Sequence, residues 1–297
     1  VKIRTSRLDW TDLQFFVELA RARNLSAAAR ALNVTHATVG RRLQALEESL
    51  GYPLFVRGAG GYTLTADGER IIAMAEAMDA QVRSISRVSL GRAPDLTGLI
   101  RITSTETFAS RFVMPRLQPF VQAHPGLQVE LIGDQRNLSL ARGDADVALR
   151  FAPPAGGEQR AKLVGHLRYR FYAKAGQVPR THDETLAYIG YSEGARYSVE
   201  SQHFEKIVGT NAVISVLTNT QLVRLAAVRA GLGIGLLPQY LGDADPEMAR
   251  FELGGPALSR EIWLIVHKDL VDVPRIKACM DFIEETMEGS REQLSGE

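Results

Sequence analysis

Through roughly the first ninety residues, apolar side chains recur every three or four positions, as in helices that bury one face; beyond that the period shortens toward two. Leu13, Phe16, Val17 and Ala20 share a face, and Thr11 with Gln14 three residues later predicts a capping box at its start. A second, alanine-rich helix is expected to be capped by Ser26, with Leu25 as a staple and Ala28, Ala29 and Leu32 meeting a crossing helix. Asn33 then marks a turn with left-handed backbone. Val39, Leu43, Leu46 and Leu50 form the buried stripe of a third helix, predicted from Thr35 to a C-terminal cap at Gly51. Alternating runs at 52–57 and 62–65 flank Gly58-Ala59-Gly60-Gly61 and predict a hairpin. From 65 to about 90 no proline interrupts a further helix, which Gly91 and Pro94 close.

The polar positions left over give these elements a chemistry. Thr35, His36, Thr38, Arg41 and Arg42 face outward near the start of the third helix, with Ser26 opening the second and Arg57 at the hairpin edge. Two helices and a wing of this kind carry side chains into the DNA major groove, where Arg bonds guanine and Thr meets a thymine methyl or a phosphate. Arg57 is placed to meet a phosphate, a contact that positions without specifying. A solvated polar face would use the same residue types. Ile71, Ala75, Met78, Val82 and Ile85 follow at spacings of four, three, four and three, a heptad seam suited to dimerisation. A helix packing on its own domain shows the same spacing. A symmetric dimer would read a dyad-symmetric operator in double-stranded DNA.

After Pro94 strands alternate with helices, predicting an α/β body. Strands are expected at 99–103, 129–133, 147–150, 171–173, 213–216, 233–237 and 262–266, with helices at 117–124, about 220–230 and 274–287. Ligands of such sheets sit beyond the carboxyl ends of strands. Thr103, Ser104 and Thr105 fall there, where hydroxyls and free backbone N–H groups suit a carboxylate, unless they simply cap a helix. Glu106 beside them disfavours a very acidic ligand, or meets an amine. Asn219 and Thr220 open a later helix toward the same cleft, and Arg150 and Phe151 end a strand near it, although Arg150 would equally pair with an acidic neighbour.

Composition narrows the function classes. The net charge of +1 divides into +4 over residues 1–92 (13 Lys and Arg, 9 Asp and Glu) and −3 over the rest (22 and 25), a basic head on an acidic body. No run of eighteen apolar residues predicts a membrane helix, and the basic opening lacks the apolar core of a secretory signal. Lone Cys279 excludes an internal disulfide, suits a reducing cytoplasm, and reads as a small hydrophobe. The six histidines have no metal-ligand spacing, and Gly231-x-Gly233-x-Gly235 enters a strand from a helix, the reverse of a dinucleotide loop, so it predicts tight packing. No catalytic, metal or cofactor set is expected.

A specific order of motifs runs through Phe16-Val17-Glu18-Leu19-Ala20, Ser26-Ala27-Ala28-Ala29, Leu46-Glu47-Glu48-Ser49-Leu50-Gly51, Leu54-Phe55-Val56-Arg57 and Leu64-Thr65-Ala66-Asp67-Gly68. It continues through Gly98-Leu99-Ile100-Arg101-Ile102, Gly143-Asp144-Ala145-Asp146-Val147-Ala148-Leu149-Arg150 and Ala230-Gly231-Leu232-Gly233-Ile234-Gly235-Leu236-Leu237-Pro238. In this the chain resembles the LysR-type transcriptional regulators over nearly its whole length. The resemblance implies a multidomain α+β protein: a winged helix-turn-helix at 1–65, a linker and dimerisation helix at 66–93, and a two-lobed effector-binding body at 94–297, like a periplasmic binding protein. Lobe I would take about 94–163 and 268–297, lobe II about 164–267. It further implies a small-molecule effector, an organic acid, held by the residues at 103–105, a dimer of dimers, and RNA polymerase as a candidate partner. Relatives commonly open the recognition helix with Gln-Ser or Gln-Pro where this chain has Thr35-His36-Ala37-Thr38, and place Ser where it has Gly40, so base preference is this chain's own. Two rivals are a repressor or architectural protein whose body only oligomerises, and a solute-binding protein or enzyme with an incidental head.

Overall fold

The computed structural model describes residues 8–58, 61–90, 96–133, 140, 144–154, 157–177, 187–209 and 211–296, with backbone only at 80, 81 and 83–90. The chain forms two compact units, Val1–Ser89 and Leu90–Glu297.

In the first unit, α1 (Trp10–Ala22), α2 (Leu25–Ala31) and α3 (His36–Leu50) precede the hairpin of β1 (Phe55–Gly58) and β2 (Gly61–Leu64), and α4 (Ala66–Leu90) follows. Two expected caps are corrected. Asp9, not Thr11, caps α1 by accepting from the Thr11 backbone N–H at 2.9 Å. Asn24, not Ser26, caps α2 by accepting from Ser26 N at 2.8 Å and Ala27 N at 3.3 Å. A carboxylate or amide oxygen reaches back two residues and satisfies the helix's free donors, so each helix starts a turn's fraction earlier than predicted. Thr35 caps α3 as expected, Asn33 is left-handed at φ 53°, and Gly51 ends α3. Arg23 is a second left-handed residue, unforeseen; its carbonyl accepts from Tyr62 N at 3.0 Å and ties the wing to the α1–α2 turn.

Phe16, Leu19, Val39, Leu46 and Leu54 are fully buried, and Phe16 meets Phe55 edge-on at 5.5 Å. Glu47, on α3, accepts from Leu54 N at 2.6 Å and Phe55 N at 3.2 Å, holding the chain where it enters the wing. Thr65 donates to Pro53 O at 2.8 Å and accepts from Gly68 N at 3.0 Å, so one hydroxyl closes the wing and starts α4. A Cβ at Gly68 would collide with the Leu54 carbonyl. The Leu64–Gly68 motif is therefore a joint between wing and linker helix.

The expected five-residue seam on α4 is corrected in part. Ala75 is buried and Ile71 half-buried in the head's own core, because α4 packs there before leaving it. Met74, Met78 and Val82 stay exposed, and the Ile85 side chain lies outside the described residues, as do Gly91 and Pro94. Asp79, 3% exposed, accepts from Arg21 at 3.2 Å, with Glu76 and Glu18 also near that guanidinium, pinning α4 to α1.

The body is built on β3 (Gly98–Ser104), β4 (Leu127–Gly133), β5 (Val147–Arg150), β6 (Gln159–Lys174), β7 (Ala187–Tyr191), β8 (Val213–Thr218), β9 (Ile234–Pro238), β10 (Met248–Phe251) and β11 (Leu258–His267). They form one sheet in the order β4-β3-β5-β11-β6-β9-β7-β8, with β10 beside β6. The expected α/β strands are present, but the sheet is mixed. Parallel pairs lie at its two ends, β4-β3-β5 and β9-β7-β8, and antiparallel pairing through β11 and β6 joins them. Only the buried ends of these two long strands were expected. The first half of β6 is polar and exposed, which hides sixteen residues of strand from any period argument. The residues of β11 serve both halves, since 258–267 pair with β6 along one edge while 263–266 also pair with β5 along the other.

Among the described residues seven α-helices complete the body. They are α5 (Glu106–Phe108), which continues through a π turn and a 3₁₀ turn to Arg116, α6 (Gln118–Ala123), α7 (Val199–Val208), α8 (Gln221–Arg229), α9 (Gln239–Gly242), α10 (Pro274–Glu288) and α11 (Arg291–Ser295). Ile100, Leu149, Ile262, Leu264, Ile276 and Cys279 lie in one core. Burial pushes the Cys279 thiol up to about 12, so it behaves as the expected hydrophobe. Gly235 stands where a Cβ would sit 2.7 Å from Val228 and 3.2 Å from Arg224, confirming the close packing read from the glycine run. The terminal α11 spans both halves: Gln293 accepts from Arg116, Glu292 O accepts from Gln239 at 3.1 Å, and Leu294 is buried.

Candidate functional sites

In the head, the outer face of α3 presents His36, Ala37 and Arg41, all exposed, with Gly40 half-exposed among them. Val39, Leu43 and Leu46 hold the opposite face in the core. Among the described residues the side chains of His36, Arg41 and Arg57 take no hydrogen bond or ion pair within the protein. Thr35 and Thr38 are already engaged with one another, their hydroxyls 2.9 Å apart and Thr38 N donating to the Thr35 oxygen at 3.3 Å. That closed first turn leaves the Thr35 hydroxyl with capacity for one further bond and the Thr38 hydroxyl with capacity for two. Ser26 is exposed.

Arg42 behaves differently from the outward role expected of it. Its Nη1 donates to Asp12 at 3.1 Å and lies 3.7 Å from Asp9, both near the start of α1. Arg42 is three residues after Val39 and four before Leu46, so it leaves the helix at the margin of the buried face, its side chain 42% exposed. The spacing carried that signal, and the adjacency of two arginines masked it. The same Asp9 carboxyl is held below the usual range by its hydrogen bonds from Thr11, with Arg42 a lesser cause.

In the body, the strand-to-helix turn expected to receive an effector is mostly engaged by the fold. Thr103 and Ser104 are fully buried. Ser104 Oγ donates to Leu149 O at 3.2 Å, and Arg150 donates to Thr103 Oγ1 and to Leu149 O, each at 3.1 Å, so these three residues lace β3 to β5. This corrects the free-hydroxyl reading of Thr103 and Ser104: the Leu149 carbonyl takes the Ser104 donor, and the Thr103 hydroxyl accepts from Arg150. Thr105, at the start of α5, makes no capping bond, and Glu106 is exposed. Phe151 meets Phe108 edge-on at 5.3 Å, and its carbonyl accepts from Arg260 at 2.7 Å, which also pairs with Glu200 at 2.5 Å. Tyr240, from beyond β9, completes this aromatic cluster against Phe108 and Phe112.

Asn219 is exposed, and Thr220 caps α8 by accepting from Val223 N at 3.3 Å. Among the described residues no hydrogen bond joins either to Thr103, Ser104 or Thr105. Beside them lies a group the sequence reading missed. Arg224, 1% exposed, donates to Gly190 O at 3.3 Å, Thr218 O at 3.2 Å and Gln221 at 3.2 Å, and stacks 3.7 Å over the Tyr191 ring. No carboxylate pairs with it among the described residues, and desolvation pulls its pKa down. The Tyr191 hydroxyl beneath is buried without a hydrogen-bond partner among the described residues, and burial raises its pKa. Arg224 precedes the buried Ala227 and Val228 by three and four positions; an arginine on an apolar stripe was the available signal. A groove of about 750 Å³ lies elsewhere, between β6 and α10–α11, lined by Leu163, His166, Met287 and Leu294 among others.

Comparison with known families settles the broad class. Residues 10–69 match the bacterial regulatory helix-turn-helix of the LysR family, and residues 94–288 match the LysR substrate binding domain. The chain belongs to the LysR family of transcription regulators. The LysR head is a DNA-binding domain and the LysR body an effector-binding domain, so the family is one of regulators and not of enzymes. Among curated relatives, the Mau operon transcriptional activator of Paracoccus denitrificans is 27% identical over 95% of this chain and 99% of its own length. The HTH-type transcriptional regulator IlvY of Escherichia coli is 28% identical over 82% of this chain and 86% of that protein. A full-length OxyR variant from Pseudomonas aeruginosa shares the fold with a TM-score of 0.65, at 17% identity and 95% coverage of both chains. Among the described residues no helix of this LysR regulator is long and apolar enough to cross a membrane.

Proposed function

We propose that this regulator binds a dyad-symmetric operator sequence-specifically and changes its grip on that DNA when a small organic acid binds in the body. The observation that carries the DNA reading is the exposure of His36 and Arg41 on α3 with no partner inside the protein among the described residues. Arg41 and His36 contact base edges, Thr35 and Thr38 contribute their remaining hydrogen-bonding capacity, and Ser26 and Arg57 hold phosphates. Arg42 orients α3 on α1 and so acts through position. The exposed Met74, Met78 and Val82 support pairing of α4 with a second copy, and a dimer of such dimers interacting with RNA polymerase is the wider assembly.

An acidic effector is supported by Arg224, a buried cation with only neutral acceptors at the carboxyl ends of β7 and β8. Thr105, Phe151, Asn219 and Thr220 lie at the same ends of their strands, while Thr103, Ser104 and Arg150 brace the floor. The effector must bind one arrangement of the body more tightly than the other to change DNA contacts at all. A second reading, a body that only oligomerises, is favoured by the packing of Phe108, Phe112, Phe151 and Tyr240, which fills the ground between the two halves of the sheet.

Footprinting of the purified protein on the DNA upstream of its own gene separates the two readings. With panels of small carboxylates and amines, a palindromic footprint that shortens or shifts with one acid is the expected result. A footprint unmoved by every compound supports the oligomerisation platform, and a response confined to amines overturns the acid.

A further inference from the structure

Gly40 is half-exposed on the flank of α3, between buried Val39 and exposed Arg41, one turn beyond His36 and Ala37 and one turn before Gln44. Glycine is the least favourable residue after proline for a helix interior, so its presence there calls for a cause. Two ordinary causes are absent. Its backbone is not in the left-handed region, and a Cβ built on it meets nothing within 4 Å. Gly235 is the contrast, where a side chain would strike Val228. Nothing within the described protein requires the missing side chain at position 40.

We infer that Gly40 is a specificity-determining position of the DNA interface, an inference that rests on the operator-binding reading above. With Arg42 paired to Asp12, the centre of the reading face is the shallow surface of Ala37 and Gly40 between the side chains of His36 and Arg41. There the helix backbone comes against the edge of a base pair, and the atom that projects farthest from such an edge in the major groove is the thymine methyl. The absent Cβ makes room for that methyl, while His36 and Arg41 flank it.

The test uses the full-length protein and its Gly40→Ala variant, each put through selection from a library of random-sequence duplexes. Thermal unfolding is measured in parallel, because alanine at an unobstructed helix position is expected to raise the melting temperature. On the duplex selected by the parent, the variant is expected to bind at least tenfold more weakly, with unchanged binding to a scrambled duplex. The two selections should differ at one base pair in each half-site. Replacing thymine there by uracil, which removes only the methyl, should weaken the parent several-fold and leave the variant indifferent. Identical selected sequences and equal affinities overturn the inference. So does an equal loss on selected and scrambled duplexes, which assigns Gly40 to a phosphate contact, or a lower melting temperature, which assigns it to the fold. If the parent itself selects no sequence, the operator-binding reading fails and this inference with it.

Discussion

Arg41 and Arg224 are both arginines on short amphipathic helices, and they have opposite fates. In the head, Arg41 stays exposed and free of partners among the described residues; in the body, Arg224 is buried among carbonyls and a tyrosine ring. Around the outer face of α3, Arg41 has no acceptor within reach among the described residues, whereas Arg42 one position on meets Asp12. Among the described residues the body is a nine-stranded sheet, and at its strand ends the Gly190 and Thr218 carbonyls take the Arg224 donors. The outermost polar residues of α3 are thus available to a partner, and those at the strand ends of the body are mostly part of the scaffold.

The largest expected effect tests the scaffold side of this contrast. Arg224→Met removes three hydrogen bonds from a buried guanidinium, two of them to the Gly190 and Thr218 carbonyls, a loss of about 2–4 kcal/mol of body stability. Denaturant unfolding with no measurable loss would break the comparison. Next, Arg41→Ala should weaken binding to a selected operator by about 1–3 kcal/mol without lowering the melting temperature. Its neighbour separates the two kinds of arginine: Arg42→Ala should cost stability by about 0.2–1 kcal/mol, since the pair with Asp12 is partly exposed. Titration on selected and scrambled duplexes, with unfolding alongside, distinguishes them.

Ser104→Ala and Thr105→Val sharpen the body further. Ser104→Ala breaks a buried bond to Leu149 O and should destabilise the body by about 1 kcal/mol. Thr105→Val should leave stability unchanged and blunt the response to the effector, read by the shift of the footprint. Smallest is a pH effect at Asp9. Its folded pKa is depressed, so its contribution is present above the unfolded value of 3.8 and disappears as pH falls through the lower folded value. The head should lose stability on acidification through that window, and Asp9→Asn should flatten the loss in a series of melting curves.

Legibility followed the range of the interactions. The three head helices, the wing and the linker helix were readable because stripes such as Val39, Leu43 and Leu46 and the stop at Gly51 are local signals. Even there the caps were misread by two residues, since Asp9, Asn24, Thr11 and Ser26 are all capable cap residues and only geometry chooses among them. In the body β7 was missed, but β3, β4 and β5 at one end of the sheet and β8 and β9 at the other were visible as apolar strands. The antiparallel join was not, because the polar half of β6 carries no burial pattern and its pairing with β11 spans about a hundred residues of sequence.

By itself, then, the sequence determined the helices of the head, most of the apolar strands of the body, the family, and which face of α3 looks outward. The elements and the face follow from periodicity and short-range bonding within a turn or a hairpin, and the family from the order of its motifs. The tertiary structure alone decided which polar groups remain available. Whether Arg42, Thr103, Ser104 or Arg224 is free depends on an acceptor from a distant segment standing within about 3 Å, the reach of a hydrogen bond. Residue type says what a side chain can bond to, and only the packing says what has reached it first.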